Sequence, residues 1–235
     1  MTARFRPRLD VLPASQRALW PALRDLKTLG WVLYGGTAVS LRLGHRVSVD
    51  FDFFSSQPLD RMALADACPS LRTATVLQER PDTLTVLMHA SGAPDRSAVK
   101  VSFFAGIDCG RVAGPDLTDD DVLCVASADD LLAHKVKVLL QRVEAKDYLD
   151  IAALVESGVH LDRALAAARL MFGSAFQPSE SLKALAFFEG GDLDTLPART
   201  RQTLIAAAAA VRDLPRVPLI AGDLCAISGP DRLDS

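Results

Sequence analysis

The chain has 235 residues, enough for one large domain or for a catalytic core with a helical appendage. Hydrophobic residues make up 49% of it and charged residues 23%, the composition of a globular protein with a sizeable core. The formal net charge of −3 argues against a protein that coats nucleic acid non-specifically, although it leaves room for a local basic patch that holds an RNA end.

Residues 15–29 read as a helix, with Ser15 as its N-cap and Leu19, Leu23 and Leu26 at helical spacing. WVLYGG (31–36) is a short apolar run ending in two glycines and reads as a buried strand. TAVSLRLG (37–44) follows as a two-turn helix closed by Gly44. VDFDFF (49–54) alternates acid with aromatic and reads as a second strand, and 59–67 as a short helix stopped near Pro69. TATVLQE (73–79), TLTVLMHA (83–90) and AVKVSFFAG (98–106) are β-rich, and the Pro81–Asp82 turn joins the first two as a hairpin.

After residue 127 the period changes. Helices are expected over 128–143, 146–158, 161–173, 179–191 and 200–214, separated by Gly, Ser or Pro. The reading is an α+β fold, with a mixed α/β core at 1–127 and a helical region at 128–235. No internal repeat is visible, and the tail after Pro215 has little pattern and reads as mobile.

Cys68, Cys109, Cys124 and Cys225 form no CxxC pair, and His45, His89, His134 and His160 are equally scattered. Free thiols are expected rather than a zinc cage or disulfides. The first ten residues lack the apolar run of a signal peptide, and the apolar stretch 204–211 is too short to span a bilayer. The expectation is a cytoplasmic protein with no membrane partner.

Asp50 and Asp52 carry the chemistry. Residues i and i+2 of a strand share a face, roughly 6–7 Å apart, so two carboxylates lie side by side while Phe51 and Phe53 point into the core. Paired anions repel unless a cation neutralises them, and hard oxygen ligands suit Mg²⁺, which bridges triphosphate oxygens in phosphoryl transfer. The bland alternative is an exposed strand with two solvated acids. Ahead of the pair, a strand ends in Gly35–Gly36–Thr37 and opens a helix. Such a turn lets backbone N–H groups and the Thr37 hydroxyl approach a phosphate, although a glycine pair there is also an ordinary tight turn.

In this context LYGGTAVSLRLGHRVSVDFDFF resembles the first motif of the DNA polymerase β-like nucleotidyltransferases. More narrowly, it resembles that of the AbiEii/AbiGii toxins, the toxin half of type IV toxin–antitoxin systems. The family pattern is a glycine turn, a short helix, a basic loop and DxD followed by apolar residues, matched continuously from Leu33 to Phe54. The resemblance implies a polymerase β-like core with a helical C-terminal bundle and a Mg²⁺-dependent nucleotidyltransferase. It also implies an NTP substrate, a tRNA 3′ end as acceptor and a cognate antitoxin.

The resemblance extends to DDLLAHKVKVLLQRVEAKDYLDIAAL (129–154), where the family carries a lysine and an arginine and then a basic–Asp–x–x–Asp segment. These positions are Lys135, Arg142, Lys146, Asp147 and Asp150. It implies that the lysine contacts the nucleotide's phosphates and that Asp147 is essential near the site. The residues agree in part. Leu131, Lys135, Val138 and Arg142 form one helical stripe, whereas Asp130, His134, Lys137 and Gln141 form a polar one. Lys135 is therefore preferred to Lys137 and paired with Arg142 as a phosphate clamp, against the alternative of surface cations packed on apolar neighbours. Asp147 is a candidate for catalysis or substrate contact, or else a first-turn acid paired with Arg142 or Lys146; for Asp150 a structural role is preferred.

The pattern departs from the family in the expected third acid. AVKVSFFAG carries Ser102 where a carboxylate belongs, with Lys100 on the same face. Either two carboxylates and waters suffice for one metal, or Asp147 supplies the missing anion or base, or Asp108 reaches in. Arg46 holds a phosphate or pairs with Asp50, and His45 reads as a loop residue. Rival functions are transfer to a small molecule or protein side chain, and a degenerate nucleotide-binding module without catalysis.

Overall fold

The protein is described by a computed structural model at residues 3–90, 97–222 and 224. One mixed sheet contains β1 (Arg4–Phe5), β2 (Val32–Tyr34), β3 (Asp50–Phe54), β4 (Thr75–Arg80), β5 (Thr83–Met88), β6 (Val99–Phe104), β7 (Asp116–Thr118) and β8 (Cys124–Val125). Their order is β1-β7-β8-β2-β3-β6-β5-β4. The helices are α1 (Ala14–Leu19), α2 (Gly35–Leu43), α3 (Arg61–Ala67), α4 (Ala128–Val138), α5 (Ala145–Glu156), α6 (Leu161–Phe172), α7 (Pro178–Ala186) and α8 (Ala198–Ala210). The α+β reading therefore holds, with helices flanking a mixed sheet and then dominating the C-terminal half.

The centre of the sheet sets up the site. β3 pairs antiparallel with β2, placing Tyr34 opposite Asp52, and parallel with β6, placing Lys100 opposite Asp50 and Ser102 opposite Asp52. The two-residue period of β3 buries Phe51 and Phe53 completely, and Phe53 stacks on Phe103 of β6 at 5.5 Å between ring centroids. Burial of each ring contributes about 1.5–3 kcal/mol, which holds the strand with its acidic face outward.

Some elements differ from the sequence expectation for local reasons. Pro21 has no N–H to offer the Arg17 carbonyl, so α1 ends at Leu19 and 3₁₀ turns continue to Leu29. Pro13, not Ser15, precedes the first turn, and Ser15 is buried within it. α2 begins at Gly35, two residues before Thr37. α4 stops at Val138, and Arg142 lies in the turn leading to α5 rather than on a continuous helix with Lys135. Of the tail after Pro215, read as mobile, residues 216–222 and 224 are described and are tied to the first half, while 223 and 225–235 lie outside the described residues. Ile220 N–H donates to the Arg111 carbonyl, Arg111 N–H donates to that of Ala221, and Val217 and Leu224 are buried.

The helices α4 and α5 both pack on α2, so one apolar core runs from the sheet into the helical half. Cys68, Cys109 and Cys124 are buried free thiols, and Cys225 lies outside the described residues. Among the described residues no helix is long and apolar enough to cross a membrane.

Candidate active site

On β3 the Asp50 and Asp52 side chains share the face opposite the core, both half-buried. Asp50 is held by Lys100, whose Nζ lies 2.9 Å from Oδ2. Asp52 is the more enclosed of the two. Burial, and then the neighbouring Asp50 charge, push its carboxyl above the usual range, while Lys100, Lys135 and the Ser102 hydroxyl oppose the rise.

The glycine turn is built around these side chains. Gly35 has φ +73°, and a Cβ there would sit 2.7 Å from Asp52 Oδ2. At Gly36 a Cβ would collide with the Arg46 guanidinium. The two glycines therefore let an acid and a base lie against the start of α2, whose first N–H groups have no partner within the helix. Thr37 does not offer its hydroxyl to a phosphate. It is buried, and its Oγ donates to the Asp50 carbonyl and meets Ser48 Oγ at 2.8 Å, pinning α2 to the loop that enters β3.

Behind the acids lies a buried charge network. Lys135 Nζ is 2.7 Å from Asp147 and 2.6 Å from Asp150. Arg142 grips Asp147 with two donors at 2.7 and 3.0 Å. Arg46 grips Asp150 with two donors at 2.7 and 2.8 Å, and His45 Nε2 adds a contact of 2.7 Å. Arg46 thus pairs with Asp150 rather than with Asp50, and His45 is a partner of Asp150 rather than a bystander in the loop.

Both acids of this network have fully buried side chains. Burial alone would push Asp147 up, but Arg142 and Lys135 outweigh it and hold the carboxyl below its usual range. For Asp150 burial is likewise overcome, by the His45 hydrogen bond, the Lys135 charge and Arg46, leaving it far below that range. Asp147, expected at the chemistry, is therefore held within ion pairs and turned from the cleft. It reaches the site through the cations it fixes.

The acids, the turn and the cations open on one cavity of about 310 Å³, lined among others by Gly36, Arg46, Asp50, Asp52, Lys100, Ser102, Lys135, Arg142 and Lys146. A second cavity of about 340 Å³ adjoins it and shares Asp52, Phe104, Lys135 and Arg142. Asp108 is exposed and in neither wall, and Lys137 turns away to the Ala175 carbonyl. Among the described residues no group of three or more His, Cys, Asp or Glu side chains is placed to hold a metal. The donor set is two carboxylates, which fits a Mg²⁺ that keeps several waters and takes its remaining oxygens from a substrate phosphate.

Across residues 17–218 the chain matches the profile of the family described as nucleotidyl transferase AbiEii toxin, type IV TA system. The chain belongs to the AbiEii toxin family. A curated relative within reach of this AbiEii sequence is an uncharacterized protein of Aquifex aeolicus (strain VF5), 30% identical over 136 residues. That alignment takes in 55% of this chain and 62% of the relative's length.

Among solved structures, JHP933 from Helicobacter pylori superposes with a TM-score of 0.56 at 16% identity, over 83% of this chain and 89% of the other. MenT4, the nucleotidyltransferase toxin Rv2826c from Mycobacterium tuberculosis H37Rv, superposes with 0.52 at 14% identity, over 81% and 86%. At these identities the likeness is one of fold, and it gives this AbiEii chain the nucleotidyltransferase core with its helical C-terminal region.

Sequence reasoning passed over the residues of the second cavity, Tyr34, Phe54, Phe104, His134 and Gln141. A signal existed for one of them: Phe54 is two residues past Asp52 and shares the face of the acids. The helical spacing puts His134 on a polar stripe with Asp130. Instead Asp130 is buried and His134 packs on Tyr34, Phe54 and Phe172 with centroids 4.8, 5.9 and 5.2 Å away.

Proposed function

We propose that this AbiEii protein transfers a nucleoside monophosphate from an NTP to an acceptor hydroxyl, with the 3′ end of a tRNA as acceptor. The observation that carries the reading is the shared cleft: a two-carboxylate cation site, a glycine turn at a helix N-terminus and two buried-network cations all face one cavity. Such a cavity suits a triphosphate, with the anion against the turn and charge compensation on both sides.

Asp50 and Asp52 would hold Mg²⁺, which when bound supplies charge neutralisation at the α-phosphate. The chain's own residues do the rest. Lys135 has three N–H donors, two of them engaged by Asp147 and Asp150, which leaves one for the phosphates. Arg142, fixed by Asp147 on one edge, offers its other edge to the same anion. Arg46, fixed by Asp150, borders Gly36 and steadies the turn.

The acceptor oxygen forms a bond to the α-phosphorus as the α–β bridging bond breaks. Pyrophosphate leaves, and the hydroxyl proton passes to solvent. Arg46, Lys100, Arg142 and Lys146 also rim the cavity, a cationic border that suits a polyanionic acceptor. The type IV family further suggests a cognate antitoxin and action in the cytoplasm.

A second reading, a nucleotide-binding module without catalysis, draws on Lys100 and Ser102, which stand on β6 where a third acid is expected. Purified protein incubated with Mg²⁺, total tRNA and each labelled NTP in turn separates the two. Label transfer that EDTA and Asp52→Asn both abolish is the expected result. Failure with all four NTPs by folded protein, alongside normal NTP binding in calorimetry, favours the second reading.

A further inference from the structure

The cavity beside the phosphate site differs from it in chemistry. Its walls are Tyr34, Phe54, Phe104 and His134, with Leu131 and Val138 among the apolar residues that complete it. Tyr34 stacks on Phe54 at 4.8 Å and Phe104 meets the Phe54 edge at 5.3 Å, so the rings form a fixed frame. His134 belongs to the wall: its Nε2 faces Cys109 Sγ at 3.9 Å and its ring lies among three aromatic neighbours.

Position gives this cavity an occupant. It joins the phosphate cavity through Asp52, Lys135 and Arg142, so a ligand whose phosphates engage the two cations projects its other end against the rings. At about 340 Å³ it lies at the low end of the range usual for small-molecule sites, roughly 300–1,000 Å³. Flat apolar walls in continuity with an anion site suit a planar heterocycle, which stacks on aromatic rings whatever its identity.

Discrimination between bases needs a hydrogen-bonding edge. Among the described residues lining the cavity, Gln141 carries the one amide side chain, in the turn after α4, and it is exposed. An amide offers both donor and acceptor to one edge of a base.

We propose that this aromatic cavity binds the nucleobase of the NTP and that Gln141 selects among bases. The proposal rests on the nucleotidyltransferase reading and names a subsite of it. A purine or pyrimidine ring lies against the wall that Phe54, Phe104 and His134 form, while the triphosphate lies across Asp52 toward Gly36. Val138 lines the cavity.

The test is calorimetric binding, in Mg²⁺, of each of the four NTPs and of inorganic tripolyphosphate to the intact chain and to Val138→Phe and Gln141→Ala. The favoured NTP should bind the intact chain about ten- to a hundredfold more tightly than tripolyphosphate, the span that stacking provides. Val138→Phe, which fills the cavity, should erase that advantage and leave tripolyphosphate within about twofold. Gln141→Ala should leave tripolyphosphate unchanged and compress the spread between best and worst base by about fivefold or more.

Equal binding of NTP and tripolyphosphate by the intact chain overturns the base site. An unaltered ranking in Gln141→Ala overturns the role of Gln141, and being exposed, that substitution tests it even if Val138→Phe fails to fold. Absence of binding by both ligands to folded protein defeats the nucleotidyltransferase reading itself, a result distinct from loss of the base subsite alone.

Discussion

The Lys100 ammonium lies 2.9 Å from the Asp50 carboxylate, across a parallel strand pair in which Ser102 likewise faces Asp52. A positive group built into β6 thus occupies the side of the acid pair where a third carboxylate would add negative charge. The ion pair must loosen before Asp50 can turn to a cation. Both partners are part-exposed, so the pair itself is worth little to stability. Lys100→Ala should therefore raise the affinity of nucleotide-free protein for Mn²⁺, a spectroscopic stand-in for Mg²⁺, by about three- to tenfold with little change in Tm. Titration by electron paramagnetic resonance measures it, and an unchanged affinity would show that Lys100 does not compete for Asp50.

Asp52 illustrates a cost in stability accepted at a functional position. Its carboxyl is raised by burial and by Asp50, so the folded state binds its proton more tightly than the unfolded chain does. Stability from this group is accordingly lost as pH rises above the unfolded value of about 3.9. Asp52→Asn should raise Tm at pH 8, by about 2–4 °C for each kcal/mol recovered, and the gain should vanish near pH 3. The same variant should lose at least about a thousandfold in nucleotidyl transfer. A lower Tm at pH 8 would contradict the account.

The acid pair was legible because strand alternation and a following aromatic run are local signals, and Phe51 and Phe53 are fully buried in the structure. The partnership of Lys100 with Asp50 was half legible: the shared face followed from alternation, but the parallel register of β3 with β6 did not. The Asp150 network escaped because its partners come from a loop about a hundred residues earlier, and no periodicity encodes that contact. β1, β7 and β8 span only two or three residues, too few for a pattern. The aromatic cavity was hidden because Phe54 and Phe104 look like core residues until the cavity they line is seen.

Gly35 couples backbone conformation to chemistry. It holds φ +73°, and an added Cβ would press on Asp52 Oδ2 at 2.7 Å. Gly35→Ala should cost about 1 kcal/mol or somewhat more in stability, from the left-handed conformation. The larger effect should be on transfer, because relief displaces the carboxylate that is proposed to hold the cation. A drop of about a hundredfold or more in kcat/KM, with Tm lowered by only a few degrees, is expected. Thermal melts paired with label-transfer kinetics test this, and equal losses in both would point to simple misfolding.

Asp150 should govern acid stability. Three groups, His45, Arg46 and Lys135, converge on a carboxylate with no exposed side-chain surface. Its folded pKa is depressed, so the stabilisation is fully present above about pH 4 and is lost as pH falls toward and below the folded value. Asp150→Asn strands the Arg46 and Lys135 cations and should cost about 3–5 kcal/mol at pH 7. The Tm gap between the two proteins should be constant from pH 8 to 5 and should narrow below pH 4. A gap that stays constant down to pH 2 would mean the carboxylate charge is not what stabilises.

Asp147 offers the sharpest distinction between a base and a positioning residue. A general base needs an open lone pair near the reacting hydroxyl, whereas both Asp147 oxygens are engaged by Lys135 and Arg142 and its side chain is wholly buried. Its carboxyl is also held below the usual range, which makes it a poor proton acceptor. Asp147→Asn keeps the shape but weakens the grip on both cations. The KM for NTP should therefore rise by about tenfold or more, while any acidic limb of the kcat–pH profile is retained, since Asp147 holds no reacting proton. Were Asp147 the base, the same substitution would remove that limb and depress kcat at every pH with KM nearly unchanged. Steady-state kinetics from pH 5 to 9 on the two proteins decide between these outcomes, and Arg142→Lys, which retains charge but loses the two-pronged grip, should reproduce the KM effect in milder form.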